Sequence, residues 1–93
     1  MDHLFLIHHE GDDVAVAIED VPADREAQAV AMDTGGRVTV TTRSKVPLGH
    51  KVALKDLNNG DDVHKYGVVI GHTTADIATG DYVHTHNLRS SRW

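Results

Sequence analysis

Apolar and polar positions alternate along most of the chain with the two-residue period of β-strands, and many of the apolar positions are β-branched. Residues 4–7 read as a first short strand. Gly11-Asp12-Asp13 reads as an acidic turn, and the continuous apolar run over 14–18 as a second strand buried on both faces. Residues 28–32 and 37–41 flank Asp33-Thr34-Gly35-Gly36, whose glycines can take the positive φ of a tight connection, so they predict a β-hairpin. The competing reading is an Ala-rich helix over 25–32, which would have to end abruptly before a β-branched segment. Residues 51–54, 68–72 and 82–86 bring the count to about seven short strands. The predicted class is all-β: a small, mostly antiparallel domain with many corners.

A local pattern recurs at those corners. An acid and an apolar residue are followed, at fixed spacing, by a turn residue and a second apolar or small residue. The copies are Asp20-Val21 with Asp24 and Ala27, Asp56-Leu57 with Gly60 and Val63, and Asp76-Ile77 with Gly80 and Val83. The Asp can close a side-chain-to-backbone turn, the apolar residue fills the core, and Gly supplies the left-handed backbone before the next strand. Their uneven spacing excludes a solenoid and predicts one turn type reused at several corners.

Composition narrows the function classes. A chain of 93 residues is one module, too small for separate cofactor and substrate domains. Nine Lys and Arg against fourteen Asp and Glu give a formal charge of −5, which argues against nucleic-acid tracking and a basic membrane-surface role. The absence of Cys removes disulfides, thiolate metal sites and a cysteine nucleophile. No segment reads as a signal peptide or a membrane span, so the expected location is the cytoplasm. Eight His stand out; protonating all of them would move the formal charge from −5 to +3. Imidazole is both a proton carrier near neutral pH and a common ligand of Zn, Fe, Ni or Cu.

Three ordered blocks then carry a resemblance. Pro47-Leu48-Gly49-His50-Lys51-Val52-Ala53-Leu54 is followed by Lys65-Tyr66-Gly67-Val68-Val69-Ile70-Gly71. The third block runs from Ala75-Asp76-Ile77 through Gly80 to Val83-His84-Thr85-His86-Asn87. In this order they resemble the SAF domain of the altronate and galactarate dehydratase family. Asp13-Val14-Ala15-Val16-Ala17 is similar to the opening of those domains, with Asp13 standing where an Asp-Asn pair is usual. The resemblance implies a β-clip fold, in agreement with the strand count. It also implies a domain that is either fused to a larger catalytic region or made as a separate small subunit. The whole enzyme removes water from a sugar acid to give a 2-keto-3-deoxy product, and a variant eliminates sulfite from sulfolactate.

Such an elimination needs a base for the proton beside the carboxylate, a cation for the developing enolate and an acid for the leaving group. On an extended strand His84 and His86 would project to one side and could share an ion, making them the candidate metal ligands. His50 in the Gly-His-Lys block and Lys65 beside Tyr66 are the candidate catalytic residues. The divalent metal implied by the resemblance is Fe(II) or Mn(II). His72 replaces an Arg common in the family, and His3, His8, His9 and His64 lie outside the blocks.

The expected function is thus the small subunit of a two-part metal-dependent hydro-lyase for a sugar acid, inactive without a large dehydratase subunit. The alternatives are a small subunit of a sulfolactate sulfo-lyase and a free-standing carbohydrate- or metal-binding module. Residues 1–88 are expected to form the domain and 89–93 an exposed tail whose Trp93 either frays or docks on a partner. Uncovered edge strands make homo-oligomers a further expectation.

Overall fold

A computed structural model describes residues 2–90. They form nine strands: β1 His3–Ile7, β2 Val14–Ala17, β3 Glu26–Ala31, β4 Arg37–Thr41, β5 Lys51–Ala53, β6 Asp62–Lys65, β7 Val68–Thr73, β8 Tyr82–Val83 and β9 Leu88–Ser90. No helix is present among the described residues, so none is long and apolar enough to cross a membrane. The Ala-rich segment is β3, paired along its length with β4 from Glu26 opposite Thr41 to Val30 opposite Arg37. The expected hairpin is there, and pairing and burial of Ala27, Ala29 and Ala31 override their helical propensity.

One sheet has the order β4-β3-β1-β2-β5-β8 and the other β6-β7-β9. All pairs are antiparallel except β1 with β3, where the connection from β2 crosses β1 and places β3 parallel to it on its far side. Val14 and Ala53 face each other and belong to one core, with Leu57, Val63, Ile77 and Val83. Ala15 and Val52 face each other and belong to the other, with Phe5, Val21, Val40 and Val46. The β2–β5 pair is therefore a wall between two small cores, which is why residues 14–17 are apolar without alternation. Phe5 is fully buried in the first core, where truncation to Ala costs about 3–5 kcal/mol.

The repeated corners are four, not three. Val21 bridges to Val46, and Leu57 bridges to Ile77. The residues Asp24, Gly49, Gly60 and Gly80, each three positions after a bridging residue, all have positive φ. The unrecognised copy begins at Lys45-Val46, where a cation replaces the acid. The acids also act differently from expectation, each capping the corner opposite its own. Asp20 Oδ1 accepts the Leu48 N–H at 2.9 Å, Asp56 Oδ1 the Thr79 N–H at 2.8 Å, and Asp76 Oδ1 the Asn59 N–H at 2.9 Å. Local capping falls instead to Asp61 and Asp81, which accept the N–H of Asn58 and Ala78, both at 2.8 Å.

Two expectations about the C-terminal part are corrected. The strand over 82–86 stops at Val83, and residues 84–87 form a turn. The tail expected from 89 begins instead inside β9, where Arg89 lies opposite His72 of β7. Arg92 and Trp93 lie outside the described residues.

Candidate active site

The site starts from a register. β5 and β8 run antiparallel with Lys51 opposite Val83 and Val52 opposite Tyr82. Continuing that register by one residue sets His50 against His84, and their rings lie 4.9 Å apart between centroids. The Gly-His-Lys and Val-His-Thr-His blocks, distant in sequence, meet here. Tyr82 joins them: its hydroxyl is 2.6 Å from His50 Nδ1, and its ring stacks on His84 at 5.6 Å with 8° between planes. His86 meets the other participant of the group, its ring 5.6 Å from that of Tyr82.

His50 holds a position in its corner that Asp61 and Asp81 hold in theirs. Those two carboxylates cap their own turns, whereas the His50 side chain is directed to the Tyr82 hydroxyl. A residue that departs from the repeat's structural role and is given a new partner is a candidate for chemistry. The pair can move a proton. With the phenol donating to Nδ1, Nε2 carries the imidazole proton and is an acid; with Nδ1 donating to the phenol oxygen, Nε2 is a base.

The turn after β8 is held by Asn87. Its Oδ1 accepts the His84 N–H at 2.9 Å and its Nδ2 donates to the Tyr82 carbonyl at 2.9 Å. The His84 carbonyl in turn accepts the N–H groups of Asn87 and Leu88. Asn87 is buried, so in this motif it builds the loop while the exposed His84 and His86 are presented by it. Because these two residues lie on a turn, the strand geometry that would aim both at one ion does not apply. His84 lines a groove of about 530 Å³ with Lys51, Thr74, Thr85 and Arg89, and His86 lines a second depression with Ser44, Asp81 and Asn87. Among the described residues, no three His, Asp or Glu side chains gather as a ligand set.

Lys65 stands in a neighbouring group. It ends β6 beside Tyr66, with its Nζ 5.5 Å from the centroid of that ring, and the ring stacks on His8 at 4.1 Å. Burial and then the Lys51 charge push the Lys65 amine below its ordinary value, against a smaller opposing pull from Asp12. Burial and the Lys65 charge lower His8 likewise. Tyr66 has φ 59°, a left-handed conformation costing about 1–2 kcal/mol in a non-Gly residue. Buried Asp12 holds it there, accepting the N–H groups of Tyr66 at 2.9 Å and Gly67 at 3.0 Å.

Sequence reasoning missed Tyr82, Asn87, Asp12 and Asp13. Asp13 is buried and accepts both the backbone N–H and the Nδ1 of His64, at 2.8 and 2.9 Å, with Lys55 Nζ at 3.2 Å. Burial pushes its carboxyl up, but the His64 and Lys55 donors outweigh that and hold it below the ordinary value. A signal was present: two adjacent acids before a continuous apolar strand sit where a loop enters the core, and buried acids need partners.

The family model described as the altronate/galactarate dehydratase SAF domain matches residues 3–91. The chain is 34% identical over 90 residues to the (2R)-sulfolactate sulfo-lyase subunit alpha of Chromohalobacter salexigens, covering 96% of each chain. It is 46% identical over 83 residues to the altronate dehydratase of Escherichia coli, covering 89% of this chain and 16% of that enzyme. A third relative, the (2R)-sulfolactate sulfo-lyase subunit alpha of Paracoccus pantotrophus, is 48% identical over 54 residues, covering 58% of this chain and 81% of that one. The chain thus spans almost all of one lyase subunit and a small part of another lyase.

Proposed function

The chain belongs to the altronate/galactarate dehydratase SAF domain family, and from that premise we propose that it is the small subunit of a two-part lyase acting on a hydroxy acid. The observation that carries the reading is the His50–Tyr82–His84 group, assembled by the β5–β8 register at the edge of an open groove. A small domain with its titratable groups at a surface cannot enclose a substrate, which fits a site completed by a large subunit.

In this reading the substrate is a sugar acid of the altronate or galactarate kind, dehydrated to a 2-keto-3-deoxy acid. His50, with Tyr82 behind its Nδ1, carries a proton at Nε2, and Lys65 is the second catalytic group, its amine lowered by burial and then by the Lys51 charge and so readier to give up its proton than an ordinary lysine. The ion of this reading is Fe(II) or Mn(II); the donors of the described residues do not close a site, so His84 from its groove or His86 from the second depression would be contributed to an ion whose remaining ligands come from the large subunit. Such an ion would stabilise the negative charge developing on the substrate carboxylate.

Sulfite elimination from (2R)-sulfolactate is a second reading, favoured by the near-complete length match to a sulfo-lyase subunit. One experiment separates them. The chain is combined with a large dehydratase-type subunit and assayed with altronate, galactarate and (2R)-sulfolactate, following 2-keto acid and sulfite. Turnover that needs both chains supports the proposal, and the product tells water loss from sulfite loss. A large subunit equally active alone with every substrate would overturn it.

A further inference from the structure

The groove of about 530 Å³ that His84 lines has a charge opposite to that of the chain. The sequence carries fourteen acids against nine Lys and Arg, yet the lining includes Lys51, Arg89 and His84, the hydroxyls of Thr74 and Thr85, and, among the described residues, no carboxylate. The groove lies at the seam of the two sheets: Lys51 comes from β5, Thr74 follows β7, His84 and Thr85 belong to the turn after β8, and Arg89 comes from β9. Arg25 and Arg43 each have a carboxylate within 4 Å, as does Lys55. Lys51 and Arg89 have none among the described residues.

Uncompensated cations facing one concave surface repel one another, and a bound anion relieves that repulsion. A guanidinium offers a planar fork to a carboxylate or sulfonate, an ammonium offers a point charge, and two threonine hydroxyls can pair with substrate hydroxyls. A volume of about 530 Å³ accommodates a small organic acid.

We propose that this groove is an anion-binding site of the small chain itself, in which Lys51 and Arg89 hold a dianionic hydroxy acid while Thr74 and Thr85 meet its hydroxyls. The identity of the physiological ligand rests on the lyase reading above; the affinity of the isolated chain for the anion does not. The site sets specificity by charge and stands beside the proton-carrying His50–Tyr82 pair through His84.

The test uses the full chain alone, titrated calorimetrically with tartrate, inorganic sulfate and the uncharged tetrol erythritol. Tartrate is expected to bind, erythritol not to bind, and Lys51→Ala with Arg89→Ala to weaken tartrate about tenfold or more, as loss of two charged contacts implies. Arg37→Ala with Lys45→Ala changes the net charge equally, away from the groove, and is expected to leave binding unchanged. Failure of the unmodified chain to bind tartrate, or equal weakening in the control, overturns the site. Sulfate binding as tight as tartrate overturns the assignment to a hydroxy acid. Because no turnover is measured, an inactive reconstituted enzyme would overturn the lyase reading while leaving this result standing.

Discussion

The hydroxyl of Tyr82 lies 2.6 Å from Nδ1 of His50, joining two side chains 32 residues apart across the β5–β8 pair. The bond occupies one imidazole nitrogen and leaves the other for substrate. It also fixes the ring, since Tyr82 is itself stacked on His84.

Tyr82→Phe keeps the ring stacking and removes only the hydroxyl. In the reconstituted lyase we expect kcat to fall about 100-fold, the lower end of what a positioned proton-transfer group supplies, with KM little changed and the pH profile displaced. Unchanged kcat together with an unchanged pH profile would assign the hydroxyl to structure alone.

Asp13 ties the first turn to β6 through His64 and to Lys55. Asp13→Asn is expected to cost about 2 kcal/mol at pH 7, since a buried charge-assisted network loses its acceptor. Because the folded carboxyl titrates below its ordinary value of 3.8, its stabilisation is complete above that value and is lost as pH falls through the folded value. Urea midpoints of the two proteins should therefore differ at pH 7 and converge in strong acid. A constant difference across that range would contradict the assignment.

Gly60 and Gly80 share nearly the same backbone, φ 90° and 92°, but not the same surroundings. A Cβ on Gly60 meets nothing within 4 Å, whereas one on Gly80 would collide with the Thr41 carbonyl oxygen. Gly60→Ala should cost about 1 kcal/mol from conformation alone, and Gly80→Ala more than twice that. Thermal melts of the two variants decide it, and equal shifts would show that the close approach relaxes without penalty.

Lys45 is the odd member of the four corners. In the other three the acid at this position caps the opposing corner, so Asp20 caps the Leu48 turn but receives no cap in return. Lys45→Asp should supply one to the Ala23 N–H and stabilise the chain by about 0.5–1 kcal/mol. A lower urea midpoint would show that the reciprocity does not extend to this pair.

Much of the architecture was legible in the sequence because it is local. Two-residue alternation marks most strands, the Asp33–Gly36 segment marks the hairpin, and the spacing of an apolar residue from its turn residue marks three corners. The fourth corner hid because Lys45 replaces the acid, although Val46 and Gly49 keep the rest of the pattern. β6 and β9 hid because they are short and mixed in polarity, with only Val63 and Leu88 contributing to a core.

The sequence by itself determined an all-β chain, a wall of residues apolar on both faces, and the histidine-bearing blocks that mark the family. Only the tertiary structure decided which of those histidines meet. The adjacency of His50, Tyr82 and His84 depends on the register of two strands far apart in the chain, and the split between His84 and His86 depends on a turn closed by Asn87. The cross-corner caps likewise require the corners to be paired first. Backbone propensity and hydrophobic alternation are properties of each segment alone, whereas register is chosen by burial of the whole set, so proximity between segments was not written in either one.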